Sequence, residues 1–182
     1  MLIFLSSINS SSGFGRCSIK KTAIPVLDIS NYLGLWYEQA RDNETPFQKG
    51  DCASAVYSEE ENKYYVVNSE DRNGVRTKVK GTLQWPNKPK GSLLVNFGPQ
   101  FLNYFSFLQG KYDILDTDYV SYTIVHSCTE ILKTYYIEYV WILTREKTPS
   151  VEFVNSKIDY IVSLGYSRDR IRVSKQGGDC VY

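Results

Sequence analysis

The chain has 182 residues, 42% of them hydrophobic and 23% charged, which suits one soluble globular domain with a true core. Lys and Arg (21) nearly balance Asp and Glu (20) and are interleaved with them, so no basic stripe exists and nucleic acid is not an expected partner. No run approaches the roughly 18 apolar residues of a membrane-spanning helix, and the fifteen tyrosines favour pleated, half-buried surfaces.

In chain order, residues 1–16 begin Met-Leu-Ile-Phe-Leu and continue through small residues to Gly15. The segment is expected to be a short secretory signal or a disordered N-terminus, with the folded domain over 17–182. Cys17, Cys52, Cys128 and Cys180 are widely separated, show no C-x-x-C spacing and have no histidine at zinc-ligand spacing. Disulfides are therefore expected and metal is not, which places the chain outside the cell; three pairings are open. Residues 34–41 read as a first strand. A polar loop, 42–51, holds Pro46, Gly50 and the glycosylation sequon Asn43-Glu44-Thr45, and is expected to rim an opening. Further strand-like runs follow at 53–58, 63–68, 75–84, 92–97, 111–115, 119–128 and 135–145, making eight. Glu59-Glu60-Glu61-Asn62 and Asp71-Arg72-Asn73-Gly74 read as hairpin turns, Asn73-Gly74 favouring the primed type. Thr148 as cap and Pro149 as first residue open a helix that Gly165 closes, with Val151, Val154, Ile158, Ile161 and Val162 on one face. A single apolar stripe must lie on something larger, so the expected architecture is all-β: an eight-stranded up-and-down antiparallel barrel with one C-terminal helix packed outside.

Three motifs then fall into order: Gly34-Leu35-Trp36 on the first strand, Thr117-Asp118-Tyr119 before the seventh, and Arg145 ending the eighth. Together they resemble the lipocalin family. The segments 32–38, 125–128 and 141–145 are most similar to the apolipoprotein D-like branch, and Phe97-Gly98-Pro99 is similar to bacterial lipocalins. The resemblance implies that Trp36 seals the closed end of the barrel, that Arg145 lies across it and that Asp118 shapes the adjoining turn. It also implies disulfides Cys17–Cys128 and Cys52–Cys180, and a small hydrophobic ligand (a fatty acid, sterol or retinoid-like lipid) in the cavity.

Strand parity extends this to a pocket, because Arg145 must point inward to reach Trp36 and alternate residues share a face. Leu143, Trp141, Tyr139 and Ile137 are then inward, with Val140 and Ile142 outward beneath the helix. Barrel alignment adds Ala55 and Tyr57, Val66 and Asn68, Leu93, Val95 and Phe97, Tyr112 and Ile114, Thr123 and Val125. No cofactor is expected.

Two rivals remain open. A lipocalin-fold enzyme is disfavoured by the catalytic inventory: no Gly-x-Ser-x-Gly, no His-Glu-x-x-His, no cysteine to spare beyond the implied pairs, and one histidine. His126 has outward parity, expected as a partly exposed structural residue and not a haem ligand or base. A module that touches a protein or, weakly, a membrane through its open rim would use Pro46, Phe47 and the apolar segment 101–107. Oligomeric state is not legible.

Overall fold

The computed structural model describes residues 12–99, 109–132 and 134–182. Its chain order is β1 (Ser12–Phe14), α1 (Ile29–Tyr32), β2 (Gly34–Asp42), β3 (Asp51–Glu60), β4 (Lys63–Arg72), β5 (Val75–Gln84), β6 (Ser92–Asn96), β7 (Gly110–Thr117), β8 (Tyr122–Ile131), β9 (Tyr135–Thr144), α2 (Val151–Ser163) and β10 (Ile171–Val173). Strands β2 to β9 pair antiparallel in sequence order, and β9 closes on β2 through Tyr37 with Thr144 and Arg41 with Trp141. The eight expected strands are thus a closed barrel.

The turns carry out the reversals the sequence announces. Asn73 and Gly74 have φ of 52° and 77°, and Glu61 and Asn62 have 51° and 61°, the positive pairs of primed hairpin turns. Two strands have a boundary more than two residues from expectation, and the others differ by two or fewer. The run starting at 119 begins its strand only at Tyr122, because Asp118 Oδ1 accepts the Val120, Ser121 and Tyr122 amides and holds the turn, leaving Tyr119 at φ 68°. The strand opened at 63 runs on to Arg72, its polar end being held against β5. Within the region read as a leader, Ser12–Phe14 forms a strand paired with 135–137, whereas residues 1–11 lie outside the described residues.

The helix starts two residues later than expected: Ser150, not Thr148, is its cap, accepting the Phe153 amide at 3.1 Å. Val151 is consequently exposed. Val154, Ile158 and Ile161 are buried against Ala40, Val140 and Ile142 on the outer face of the barrel, each buried aliphatic side chain contributing about 1.5–3 kcal/mol. Both tails are stapled to this side, Cys17 to Cys128 and Cys52 to Cys180, across sequence separations of 111 and 128 residues. Loops this long favour a sizeable stabilisation, about 2–5 kcal/mol for each bridge.

Under the helix runs a buried polar network that ties the tails to the wall. Arg170 donates to the Asp42 carboxylate (3.0 Å) and to the Glu138 carbonyl (2.7 Å). Glu138 also accepts from the Ser18 amide, the Ser18 hydroxyl and the Ile19 amide. His126 Nε2 lies 2.9 Å from the same carboxylate. Burial works against a charged Glu138, but the His126 contact and the Ser18 and Ile19 donors outweigh it and bring the group down to about 2.

Candidate ligand cavity

At the closed end, α1 tucks Tyr32 beneath the barrel, and the Trp36 indole donates to the Tyr32 carbonyl at 2.9 Å. The Arg145 guanidinium lies over the Trp36 ring, 3.7 Å from its centroid. It donates to the Asn31, Leu33 and Leu35 carbonyls at 2.8 Å each and to the Tyr119 carbonyl at 3.1 Å. A Cβ on Gly34, where φ is 96°, would sit 3.3 Å from Arg145 Nη1, so glycine fits both the backbone and the close approach there. Thr117 completes the turn, its hydroxyl taking the Tyr119 amide and donating to the Tyr122 carbonyl. Three backbone donors overcome burial and hold the Asp118 carboxyl below its usual range.

Above this plug, three tyrosine hydroxyls meet in the apolar interior: Tyr112 is 2.7 Å from Tyr32 and 2.6 Å from Tyr57. Burial pushes all three phenols up, Tyr32 to about 12, so they stay neutral. Tyr57 and Tyr112 floor a cavity of about 650 Å³ that opens at the other end of the barrel. Of the fourteen residues expected to face a ligand, eleven line it: Ala55, Tyr57, Val66, Asn68, Val95, Phe97, Tyr112, Val125, Ile137, Tyr139 and Trp141, joined by Leu143. Leu93, Ile114 and Thr123 do not. They share the inward parity but lie below the floor, Leu93 and Ile114 in the solid core with Trp36 and Leu27, and Thr123 fully buried beside the Tyr32 hydroxyl. Small barrels fill their lower layers completely and leave room only above.

Beyond Asn68 and the tyrosines, the wall has polar residues not singled out from the sequence. Glu38 follows Trp36 by two and has the right parity, as Glu70 does after Asn68, and Ser127 and Thr129 after Val125; all line the cavity. Thr77 and Val79 lie opposite Glu70 and Asn68 on β5. Glu38 is buried and ion-paired with Arg41, three residues on. On a regular strand those side chains oppose each other; the register shift between Glu38 and Ala40 lets them meet. Burial, and secondarily the like charge of Glu70, push the Glu38 carboxyl up against the opposing pull of Arg41 and Ser174.

The 42–51 loop bends over the mouth. Gln48 bridges the Trp141 indole, whose Nε1 donates to it at 3.0 Å, and the Glu38 carboxylate. The Gly50 amide donates to Glu70 at 2.9 Å, and its carbonyl accepts from Arg41 at 3.0 Å. A Cβ at Gly50 would lie 2.4 Å from the Asp71 carbonyl oxygen, so only glycine passes there without a shift. Phe47 packs on Tyr139 and Trp141, ring centroids 5.9 and 6.4 Å away. The sequon groups are engaged, Asn43 donating to the Asp169 carbonyl and the buried Thr45 hydroxyl to that of Asp42.

His126 points outward, as expected, yet it is buried and not partly exposed, because the Ser18–Ile19 segment covers Glu138 and the ring beside it. All four cysteines are in disulfides. The apolar segment 101–107 lies outside the described residues.

A closed antiparallel barrel, plugged at one end by a stacked Trp–Arg pair and hollow at the other, defines a class of small-molecule-binding β-barrels. A family model for a lipocalin-like domain matches residues 27–176, and the chain belongs to the lipocalin family. It is 34% identical over 149 residues to apolipoprotein D of Rattus norvegicus, covering 79% of this chain and 73% of that protein. It is 34% identical over 156 residues to the Lazarillo protein of Schistocerca americana, covering 82% and 69%. Among solved structures, insecticyanin of the tobacco hornworm Manduca sexta superposes with a TM-score of 0.74 at 22% identity, covering 93% of this chain and 90% of that one. H1 crustacyanin of the lobster Homarus americanus also reaches 0.74, at 20% identity over 95% and 94%. Family and fold imply binding of small hydrophobic ligands.

Proposed function

We propose that the protein binds and carries one small hydrophobic ligand in the barrel cavity, its apolar body a fatty chain, sterol or retinoid-like ring system, and that it works outside the cell. The observation that carries the reading is the cavity of about 650 Å³ with Val66, Val95, Val125, Ile137 and Leu143 in its wall above a sealed base. Pockets of about 300–1,000 Å³ with apolar walls and a few polar points are the usual small-ligand site. Two disulfides suit an oxidising setting. The reading is of a carrier and not an enzyme: the single histidine is engaged with Glu138 beneath the helix side, and no thiol is free among the cysteines. Organic extraction and mass spectrometry of the protein from its native source test it. One apolar molecule per chain is expected; protein that arrives empty and binds no member of a panel of fatty, sterol and retinoid probes would overturn it.

A second reading, weak contact of the open rim with a membrane, is favoured by Phe14, Leu132 and Phe47, exposed at the mouth by 92%, 89% and 59%. Flotation with neutral vesicles, lost in a Phe47→Ser, Leu132→Ser double variant, is the expected result; equal flotation of both proteins would refute it.

A further inference from the structure

The charged side chains in the described cavity wall are Glu38, Glu70 and Lys111. Lys111 is exposed and lies between the inward positions Gly110 and Tyr112 of β7, on the outward parity. Of these three lining charges, the two on the inward parity are carboxylates. Each is ion-paired, Glu38 with Arg41 and Glu70 with Arg72, and neither arginine lines the cavity.

The hydrogen-bond inventory points the same way. Three donors beside the carboxylates are turned onto the protein: the Trp141 indole onto Gln48, the Gln48 amide onto Glu38, and the Gly50 amide onto Glu70. A carboxylate offers about four acceptor positions. Glu70 receives the Gly50 amide and Arg72; Glu38 receives Arg41, Ser174 and Gln48. At Glu38 and Glu70 the wall therefore offers a ligand acceptor oxygens, apart from the hydroxyl and amide groups of Asn68, Ser127 and Thr129 elsewhere in the lining. Beside it stand three rings, Phe47, Tyr139 and Trp141, with mutual centroid spacings of 5.9 to 6.4 Å. Carboxylates next to aromatic rings attract an organic ammonium and repel a carboxylate.

We propose that the cavity selects amphiphiles whose polar head is a protonated amine, the head lying between Glu38 and Glu70 beside Phe47, Tyr139 and Trp141, and the apolar tail reaching down to Tyr57 and Tyr112. This rests on the cavity being the ligand site. It turns the preference away from free fatty acids and toward alkyl- or arylammonium compounds. The like charge of Glu70, which helps to push the Glu38 carboxyl up, is relieved when a cation sits between them.

Isothermal titration at pH 7 with decylammonium, decanol and decanoate, each below its aggregation concentration, separates head-group choice from tail burial. Decylammonium is expected to bind tightest and decanoate weakest, with about a tenfold or larger gap between them. In Glu70→Gln, checked for an unchanged melting profile, the gap between decylammonium and decanoate, each read relative to decanol in the same protein, should close to about threefold or less. Decanoate binding as tightly as decylammonium in the wild type would overturn the proposal, whatever the variant does, as would a gap that survives Glu70→Gln. If none of the three binds, decanol included, the cavity reading itself fails and takes this proposal with it.

Discussion

Replacing Arg145 with alanine removes the plug of the barrel while leaving its strands intact. Two losses follow. The cation–π contact, at 3.7 Å over a fully buried indole, is worth about 0.5–2 kcal/mol. Four backbone carbonyls also lose their donor, those of Asn31, Leu33, Leu35 and Tyr119. Asn31 and Leu35 are exposed and regain water; Leu33 and Tyr119 are partly covered, and each carbonyl left dry costs about 1 kcal/mol or more. The Tyr32 carbonyl keeps the Trp36 indole as donor. The sum is about 3 kcal/mol, which for a domain of this size lowers Tm by about 6–12 °C. Thermal unfolding with the disulfides intact measures it. Arg145→Lys should fall between, since one ammonium cannot reach all four carbonyls. A shift under about 2 °C for the alanine variant would refute the view that Arg145 holds the closed end together.

Non-reducing peptide mapping should yield Cys17 with Cys128 and Cys52 with Cys180; a Cys17–Cys52 peptide would contradict the tail arrangement. Trp141→Phe should abolish most of the ligand-dependent quenching of tryptophan emission, because Trp141 lines the cavity whereas Trp36 lies sealed in the base and Trp85 is outside the lining. Full quenching in that variant would mean the strand faces the other way. Glu138, held near 2 in the fold against an ordinary 4.5, adds about 3 kcal/mol that is complete above the unfolded value and lost as pH falls from about 4.5 toward 2. Glu138→Gln should flatten that acid limb of the stability profile; an unchanged slope would contradict the assignment. Gly50→Ala, which forces the loop off the Asp71 carbonyl, should speed ligand release by about tenfold or more in stopped flow while leaving unfolding little changed, and an unaltered release rate would argue that the loop does not cover the mouth.

The barrel was legible because period-2 alternation, paired turn residues and one amphipathic helix are local signals that agree with one another. Parity from Trp36 and Arg145 reached most of the cavity wall, since a strand's facing is fixed along its length unless a bulge intervenes. It could not say how high the plug rises, and so it placed Leu93, Ile114 and Thr123 with the ligand when α1 and Trp36 fill that layer. Depth depends on what α1, a single turn, inserts into the base, and no periodicity encodes that. Glu38 and Glu70 lie on the parity of Trp36 and Asn68, but residue type gives an inward carboxylate no support; only their partners, Arg41 across a bulge and Gly50 across the loop, make an inward position tenable. Gln48 and Phe47 belong to an irregular loop, where sequence gives no facing at all.

The apolar body of a ligand can be weighed: about ten buried methylenes at roughly 0.8 kcal/mol each give near 8 kcal/mol, before association costs of at least about 4. Tail burial alone therefore leaves weak binding, and the polar wall must supply the rest. The most direct measurement is a titration with retinol, an uncharged probe, of the wild type against Val95→Trp, in which an indole projects into the cavity from β6. One retinol per chain in the wild type, weakened about tenfold or more in a Val95→Trp protein that still melts normally, is the result predicted for a ligand held inside the barrel. Equal retinol affinity in the two proteins would place the ligand elsewhere and contradict it.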